Sequence, residues 1–469
     1  MFPDGLIGTY YGLLKSLSSR KYTKNYVRAY ICALADIYAV ENGARDFEEY
    51  SGAVRDALLH ASSKRLEDYG QVLERWRETD RSQLKGPRRG PAAGAPLTDR
   101  REPAGLNVVS LFTGSYGLDL GFEYAGYDVT VCLDIDRASE EILRLNRPEI
   151  PFILADVAEV ASEDVLKEAG LARAEVDVIT GGPPCQPFST AGKRRGLDDP
   201  RASPLVEFIR IVKEIRPRAF VMEEVPGLLS ARLEHVPVRE GDRLLKEEEL
   251  PGSVWEAVLH LLRSTGYRLK WRVLDAADFG APQVRKRVIV VGVRPDVGRP
   301  VLPEQTHVRP DLAGLGIYSR WKVLGDVMYG VKSTDYSPLP PRYQEIAALV
   351  PPGGNWRQLP AGLQRDALKG AYAAGGGKTG FYRRLCWLDP SPTLVTSPTM
   401  KATMMVHPSE DRPLGVEEYK VIQGFPVSWA LPENSRSARY RKVGEAVPVY
   451  LSYAVADALK GVLLSDRRA

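Results

Sequence analysis

The chain has 469 residues, 26% charged and 44% hydrophobic, with a formal net charge of +4, and this length allows two or three domains with full-sized cores. No apolar run approaches the roughly 18 residues that cross a bilayer, and the start lacks a signal-peptide pattern, so we expect an intracellular, cytoplasmic protein without a membrane partner. The four cysteines and five histidines lack metal-ligand spacing, so we expect neither a bound metal nor a disulfide framework.

Positive charge is concentrated in two stretches. Residues 81–105 hold six basic and two acidic residues, and residues 309–401 hold twelve basic and six acidic residues. The remainder of the chain is net negative. Such clustering favours contact with a polyanion, although a basic run taken alone is most often solvated surface.

The regular elements fall into successive blocks along the chain. Residues 1–80 are predicted to be a helical N-terminal extension, and residues 81–105 a basic linker in which Pro and Gly interrupt helix and strand. Seven β-rich runs then alternate with helical stretches: NVVSLF, DVTVCLD, PFILAD, EVDVITGG, RAFVMEEV, YRLKWRVLDA and KRVIVVGV. This alternation predicts a doubly wound α/β fold, a mostly parallel sheet with helices on both faces.

The alternation ends near residue 295. Residues 296–435 are rich in Pro, Gly and aromatic residues, which predicts a smaller irregular domain with strand-like pieces such as SPTLVTSP and TMMVHP. Residues 436–469 contain a last helical run, which we expect to pack back on the sheet.

The loops after the first three strands carry residues suited to a nucleoside. Ligands of open parallel sheets bind beyond the carboxyl ends of the strands. Gly114 and Gly117 allow a sharp turn after the first strand, and a helix start near Leu118 offers free N–H groups. Asp134 ends the second strand, where an acid accepts hydrogen bonds from ribose hydroxyls, and Asp156 ends the third strand. The series predicts a nucleoside-binding crevice, although the turn alone departs from GxGxxG.

Reactive groups follow the fourth and fifth strands. Cys185 lies in GGPPCQPF, where backbone amides or a nearby cation would lower the thiol pKa and produce a nucleophile. Most free cysteines are instead small buried hydrophobic residues, as we interpret Cys32 and Cys132. Glu223 ends the fifth strand, where it is placed to donate a proton or a hydrogen bond.

A strand with basic side chains completes the pattern. QVRKRVIVVG places Gln283, Arg285 and Arg287 at alternate positions, so a strand would point all three to one face. Arginines directed at a sheet need anionic or carbonyl partners.

In this order the motifs resemble those of DNA (cytosine-5) methyltransferases of the bacterial or archaeal restriction-modification type. The matching stretches are FTGSYG, PPCQPFSTAGKRRGLDDPR, FVMEEV, QVRKR, PPGGNWRQLP, RPLGVEEYKVIQGFP and GEAVPVYLSYAVADAL, within residues 107–462. The resemblance implies a Rossmann-like S-adenosylmethionine-binding catalytic domain over 106–295, a target recognition domain over 296–435, and a C-terminal helix over 436–469 that returns to the catalytic domain.

The resemblance also implies a reaction, methylation of cytosine C5 in a specific double-stranded DNA sequence after the base has left the duplex. Cys185 would add to C6, Glu223 would hydrogen-bond or protonate N3, and Arg285 and Arg287 would hold O2 and orient Glu223. The loop 188–201 would close over the DNA. The implied cofactor-binding residues are Phe112, Gly114, Gly117, Leu118, Asp134, Ile135, Asp156, Val157, Pro184 and Val447. The implied DNA-binding residues are Gln186, Ser189, Lys193, Arg194, Arg195 and Gln283.

Three positions depart from the family pattern. Glu224 and Glu445 replace two asparagines, so a hydrogen-bond donor is lost at each. Spacing puts Pro204, next to Leu205, where the family has a leucine that contacts the cofactor.

Two alternatives stay open at this point: an RNA cytosine-5 methyltransferase, and a non-catalytic DNA-binding protein on the same fold. The N-terminal helices could add DNA contacts, mediate dimerisation or support the core. The sequence predicts neither the DNA word recognised nor the oligomeric state.

Overall fold

A computed structural model of the protein describes residues 4–18, 22–44, 47–63, 69–81, 102–184, 203–232, 247, 250–315, 317–373, 379–433 and 435–466. Most of the predicted linker 81–105 therefore lies outside the described residues. The N-terminal extension contains the helices α1 (Asp4–Leu17), α2 (Lys24–Glu41), α3 (Phe47–Ser63) and α4 (Tyr69–Glu78).

A seven-stranded sheet forms the centre of the described structure. Its strands are β1 (Asn107–Leu111), β2 (Asp128–Asp134), β3 (Phe152–Leu154), β4 (Val178–Gly181), β5 (Ala219–Glu224), β6 (Arg268–Asp275) and β7 (Lys286–Val293). They lie in the order β3-β2-β1-β4-β5-β7-β6. The first five pair in parallel, and β7 pairs antiparallel with both β5 and β6. The predicted doubly wound α/β fold is confirmed.

Helices cover both faces of this sheet. They are α5 (Gly117–Tyr124), α6 (Arg137–Asn146), α7 (Ser162–Ala169), α8 (Ser203–Ile215) and α9 (Ser253–Arg263). Val108 of β1 enters the apolar cluster that includes α5, whereas Val109 enters the cluster that includes α8 and α9. Consecutive strand residues point to opposite faces of the sheet. Because both faces are buried, the strands are continuous apolar runs in the sequence.

The strand order creates a crevice between β1 and β4. From β1 the chain proceeds outward to β2 and β3, and it then returns to place β4 on the other side of β1. The loops that follow β1 and β4 therefore diverge, as at the ligand-binding switch point of open α/β sheets.

Residues 296–435, predicted above to be the second domain, are largely irregular in their described part. Their elements are the parallel pair β8 (His307–Val308) and β9 (Ser319–Arg320), and the helices α10 (Leu324–Val327), α11 (Pro341–Ala348), α12 (Ala361–Leu368) and α13 (Val416–Gln423). The predicted strand pieces SPTLVTSP and TMMVHP were wrong, since only isolated bridges form there, at Ser391 and Val406. Prolines within both stretches remove the N–H groups that a ladder requires.

Two further helices, α14 (Arg436–Glu445) and α15 (Val449–Asp466), end the described chain. The Oγ of Ser452 on α15 donates a hydrogen bond to the carbonyl oxygen of Leu118 on α5, so α15 packs against a helix that covers the sheet. Residues 436–466 include an 18-residue window of mean hydropathy 1.4, contrary to our expectation of no such run. Because 56% of that window is buried within the protein, its apolar side chains serve the core.

The N-terminal extension is docked on the second domain. Asp389 accepts hydrogen bonds from the hydroxyls of Tyr10 and Tyr11 at 3.1 and 3.2 Å, and it lies 2.8 Å from the guanidinium of Arg28. Cys32 and Cys386 form a disulfide with their Cα atoms 6.7 Å apart, so our expectation of no disulfide was wrong. The two cysteines are 354 residues apart in sequence, and only the docking of α2 brings them together.

We predict that Gly353→Ala weakens this docking. Gly353 has φ +71°, and a Cβ there would lie 2.5 Å from Cγ of Arg28. The left-handed backbone alone costs an alanine about 1–2 kcal/mol, so the free energy of unfolding should fall by at least that amount. Gly362→Ala on α12 is the matched control, because an added Cβ meets nothing within 4 Å. It should be neutral or stabilise by up to about 1 kcal/mol. Equal shifts in thermal unfolding for the two variants would contradict the prediction.

Candidate active site

The loop after β1 has a strained backbone. Phe112 and Tyr116 have φ values of +55° and +71°, a region that non-glycine residues rarely adopt. The N–H of Gly114 between them donates to Oδ2 of Asp134 at 2.8 Å, which joins the loop to the end of β2. Such strain persists where the surrounding structure enforces it, and it is common at ligand sites.

Two acids lie at the adjacent strand ends. Oδ1 of Asp134 also accepts the N–H of Asp136 at 2.8 Å, so two backbone amides orient this carboxylate. Asp156 is exposed and accepts the N–H of Ala158 at 3.0 Å. Ile135, between the acids in sequence, is 68% exposed although it is large and apolar. An accessible apolar side chain flanked by fixed carboxylates fits a ligand with a flat ring and hydroxyl groups.

The other implied cofactor residues lie on the segments that follow β1, β3 and β4 and on the connection between α14 and α15. Leu118 is buried at the start of α5, Val157 is buried after Asp156, and Pro184 is exposed after β4. Val447 comes from the α14–α15 connection. A Cβ at Gly117 would lie 2.5 Å from the carbonyl oxygen of Val447, so the glycine allows this close approach. The structure brings Gly117 and Val447 together, and the contact of all these residues with a cofactor stays a prediction.

Glu223 and Arg287 form an ion pair beside the crevice. Oε1 of Glu223 lies 2.6 Å from Nε of Arg287, and the two side chains are 12% and 10% exposed. A Cβ added to Gly182 would lie 3.0 Å from Oε2 of Glu223. The chain therefore passes against Glu223 just before it reaches Pro184.

The predicted nucleophile and most predicted DNA contacts lie outside the described residues. These are Cys185, Gln186, Ser189, Lys193, Arg194 and Arg195, together with the closing loop 188–201. Their roles stay predictions.

Arg285 and Gln283 precede β7 and contact other parts of the protein. Arg285 is buried and donates to the carbonyl oxygens of Leu394 at 2.9 Å and Glu445 at 3.3 Å. Burial first, and then the charge of Arg287, lower the pKa of Arg285 to about 9. Gln283 is 0% exposed, and its amide donates to Gln423 and accepts from the N–H of Leu394. This burial does not support the predicted DNA contact of Gln283, which instead joins the two domains.

Gln423 is a positioning residue that the sequence analysis missed. Its Nε2 donates to the carbonyl oxygens of Val443 and Ala446 at 2.7 and 3.0 Å. It therefore holds the connection that carries Val447 against the crevice. An uncharged polar residue within the motif VIQGFP, directly before Gly424, was the available signal.

The two acids that replace family asparagines have different surroundings. Glu224 is buried, and its Oε1 has no hydrogen-bond partner among the residues that the structure describes. Burial and, next, the charge of Glu223 raise the pKa of Glu224 well above its usual range. Glu445 is exposed, and partial desolvation of its carboxyl raises its pKa, opposed by the charges of Arg441 and Lys442. At the third departure, Leu205 is buried in the cluster against which Phe112 packs.

We predict that Glu224 makes the protein less stable as the pH rises. An acid whose pKa is raised on folding binds more protons in the native state than in the unfolded one. The destabilisation caused by Glu224 is absent at pH values below the pKa of this residue in the unfolded chain. It grows as the pH rises toward the pKa of Glu224 in the folded protein. Glu224→Gln should therefore flatten the decline of the free energy of unfolding between pH 5 and 8, measured by urea denaturation. Glu256→Gln on the exposed face of α9 controls for loss of a carboxylate, and an identical decline in wild type and Glu224→Gln would oppose this prediction.

Comparisons with known proteins agree with this geometry. The model of the family described as C-5 cytosine-specific DNA methylase matches residues 106–461. The chain is 37% identical to the Type II methyltransferase M.Eco47II of Escherichia coli, over 74% of this chain and 77% of that protein. It is 34% identical to the Type II methyltransferase M.Sau96I of Staphylococcus aureus, over 77% of each chain.

Solved structures share the fold at lower identity. A DNMT2 mutant of Spodoptera frugiperda superposes with a TM-score of 0.51 at 16% identity, over 76% of this chain and 99% of that one. The methyltransferase EhMeth of Entamoeba histolytica gives 0.50 at 16% identity, over 79% of this chain and all of that one. The extent of the family match and the similarity to M.Eco47II decide the assignment: the chain belongs to the C-5 cytosine-specific DNA methylases and is a DNA methyltransferase.

Proposed function

We propose that the protein transfers a methyl group from S-adenosylmethionine to C5 of a cytosine flipped out of a specific duplex DNA sequence, through a covalent bond between Cys185 and C6. The Type II relatives suggest that it modifies DNA within a restriction-modification system of the cell. The observation that carries the proposal is the Glu223–Arg287 ion pair, placed against Gly182 where the chain leads to Pro184 and Cys185.

The crevice between β1 and β4 fits S-adenosylmethionine. Asp134 would accept the ribose hydroxyls, Asp156 the adenine amino group, and Phe112 would stack on the adenine. Ile135 offers the exposed apolar surface that a flat base requires. When bound, the cofactor supplies a methyl group made electrophilic by its positive sulfonium.

Cytosine C5 is too weak a nucleophile to accept a methyl group directly, so the chain must activate it. The Cys185 thiolate would form a bond to C6, and the electron pair of the C5–C6 double bond would become available at C5. Glu223 would hold a proton at N3, where negative charge otherwise accumulates. After C5 is methylated, loss of the C5 proton and cleavage of the C6–sulfur bond restore the aromatic ring and the free thiolate.

Arg287 positions Glu223 for this task. Their 2.6 Å contact leaves Oε2 of Glu223 directed toward Gly182 and the entrance to the Cys185 loop. The guanidinium of Arg287 also has donors to spare for the cytosine O2. Arg285 already donates to two carbonyl oxygens, so we assign it to holding the arginine segment against the second domain.

We predict that Cys185→Ala abolishes methyl transfer to duplex DNA while retaining binding of S-adenosylmethionine. Radiolabelled methyl transfer and calorimetric cofactor titration measure the two properties. Cys132→Ala removes a buried thiol of β2 and should retain transfer. Undiminished turnover by Cys185→Ala would refute the nucleophile.

The substrate class can be tested with a mechanism-based trap. Fluorine at C5 cannot leave as the proton does, so the wild-type enzyme should form a stable covalent adduct with duplex DNA that contains 5-fluorocytosine. An adduct formed only with 5-fluorocytosine RNA would overturn the proposal in favour of an RNA enzyme. Absence of any adduct while DNA binding persists would instead indicate a non-catalytic DNA-binding protein.

We predict that Glu223→Gln lowers kcat by about 10²–10⁴, the usual contribution of a positioned acid or base. Glutamine keeps the shape and an oxygen that can accept from Arg287, yet it cannot deliver a proton to N3. Glu224→Gln, the adjacent change on the opposite face of β5, should retain kcat. If both variants lose the same fraction of the single-turnover rate, the loss comes from a disturbed end of β5 and not from the missing proton of Glu223.

A further inference from the structure

A cavity of about 570 Å³ lies at the junction of the N-terminal extension and the second domain. Tyr11, Lys24 and Arg28 line it from the extension, and residues 383–386 line it from the second domain. Val284 lines it as well, next in sequence to Arg285. The N–H of Val284 donates to the carbonyl of Ser391 at 2.9 Å, which joins the cavity wall to the arginine segment of the active site.

The lining is strongly cationic. Its charged residues are Lys24, Arg28, Arg309, Arg383, Arg384 and Asp389. The carboxylate of Asp389 is already used, because Arg28 and the hydroxyls of Tyr10 and Tyr11 contact it. Its charge also acts on Lys24, but less strongly than desolvation and the charges of Arg28 and Arg309, which act in the opposite direction.

Two of the arginines have partners elsewhere. Arg384 is fully buried, donates to four carbonyl oxygens and pairs with Asp411. Arg309 lies 3.0 Å from Asp311. These contacts give both side chains structural roles.

Lys24 and Arg383 differ, because neither has a carboxylate partner within the described ranges. Lys24 is largely exposed and lies 5.8 Å from the ring centroid of Tyr11. Arg383 is partly buried and donates from Nε to the carbonyl of Thr379 at 3.2 Å. Desolvation, and then the charge of Arg28, lower the pKa of both groups. Like charges held together in a partly desolvated cavity cost free energy that a bound anion would offset.

We propose that Lys24 and Arg383 bind a phosphate group of the DNA backbone beside the target site, so that the N-terminal extension enlarges the DNA-binding surface. This inference rests on the proposed function. Position favours backbone phosphate over a free anion, because the cavity adjoins the segment that carries Arg285 and Arg287 into the site. A phosphate contact made by the extension would be independent of sequence.

The test is the salt dependence of duplex DNA binding by the full chain. Each phosphate contact contributes about 0.9 to the slope of log Kobs against log salt concentration. Lys24→Gln and Arg383→Gln should therefore each make that slope shallower, and the double variant, which loses the shared phosphate contact, should make it shallower by about this amount. Lys15→Gln on exposed α1, outside the cavity, is the matched control and should keep the wild-type slope. Thermal unfolding shows whether Arg383→Gln is still folded. Lys24 is exposed, so we expect Lys24→Gln to fold as the wild type does.

The outcomes separate this inference from the proposed function. Wild-type methylation of duplex DNA with unchanged slopes in both variants would overturn the inference and leave the proposed function standing. Failure of wild type to methylate any duplex would defeat the proposed function itself. Calorimetric titration with inorganic phosphate alone distinguishes a free anion from the DNA backbone. If Lys24→Gln loses phosphate binding but keeps the wild-type salt slope for DNA, the cavity binds a free anion and the proposed backbone contact is contradicted.

Discussion

The geometry of the candidate active site depends on the antiparallel insertion of β7 beside β5. Parallel strands place their carboxyl ends at one edge of the sheet, and only an antiparallel neighbour brings its own first residues to that edge. Glu223 near the end of β5 pairs with Ile289, so Arg287, two residues earlier on β7, lies diagonally beside Glu223 on the same face. Had β7 run parallel, an arginine at its start would lie at the opposite edge. The 2.6 Å ion pair is therefore a consequence of topology.

A buried polar network connects this ion pair to the second domain. Gln283 bonds to Gln423 and to Leu394, and Arg285 bonds to Leu394 and to Glu445. Buried amides and guanidinium groups left without partners are costly, so the two domains are held in the register that satisfies these groups. The same contacts orient the segment that presents Arg287. The predicted cofactor crevice and the arginine segment are thus positioned by one set of hydrogen bonds.

Sequence patterns predicted the elements whose signals are local. All seven β-rich runs form strands because each is a short apolar stretch bounded by turns, and the strand-end acids lie where parallel topology requires. Contacts between distant segments carry no local signal. The Cys32–Cys386 disulfide and the burial of Gln283 follow from how α2 and α13 pack against the rest of the protein. The residues close to them in sequence form no pattern that predicts this packing. Alternation suggested that Gln283 faces the site with Arg287, but it precedes β7 and bonds across the domain boundary.

The acid at position 224 is compatible with the ion pair because of where the strand points it. Glu223 faces Arg287 in the crevice, whereas Glu224 is buried on the opposite face of the strand, where the charge of Arg287 only partly offsets the burial of the carboxyl. Burial and the neighbouring charge of Glu223 both favour the protonated form of Glu224, and its raised pKa expresses this. A neutral Glu224 leaves one negative charge at the end of β5, which Arg287 balances. Protonation also returns to this position a hydrogen-bond donor, the property that an asparagine would have supplied.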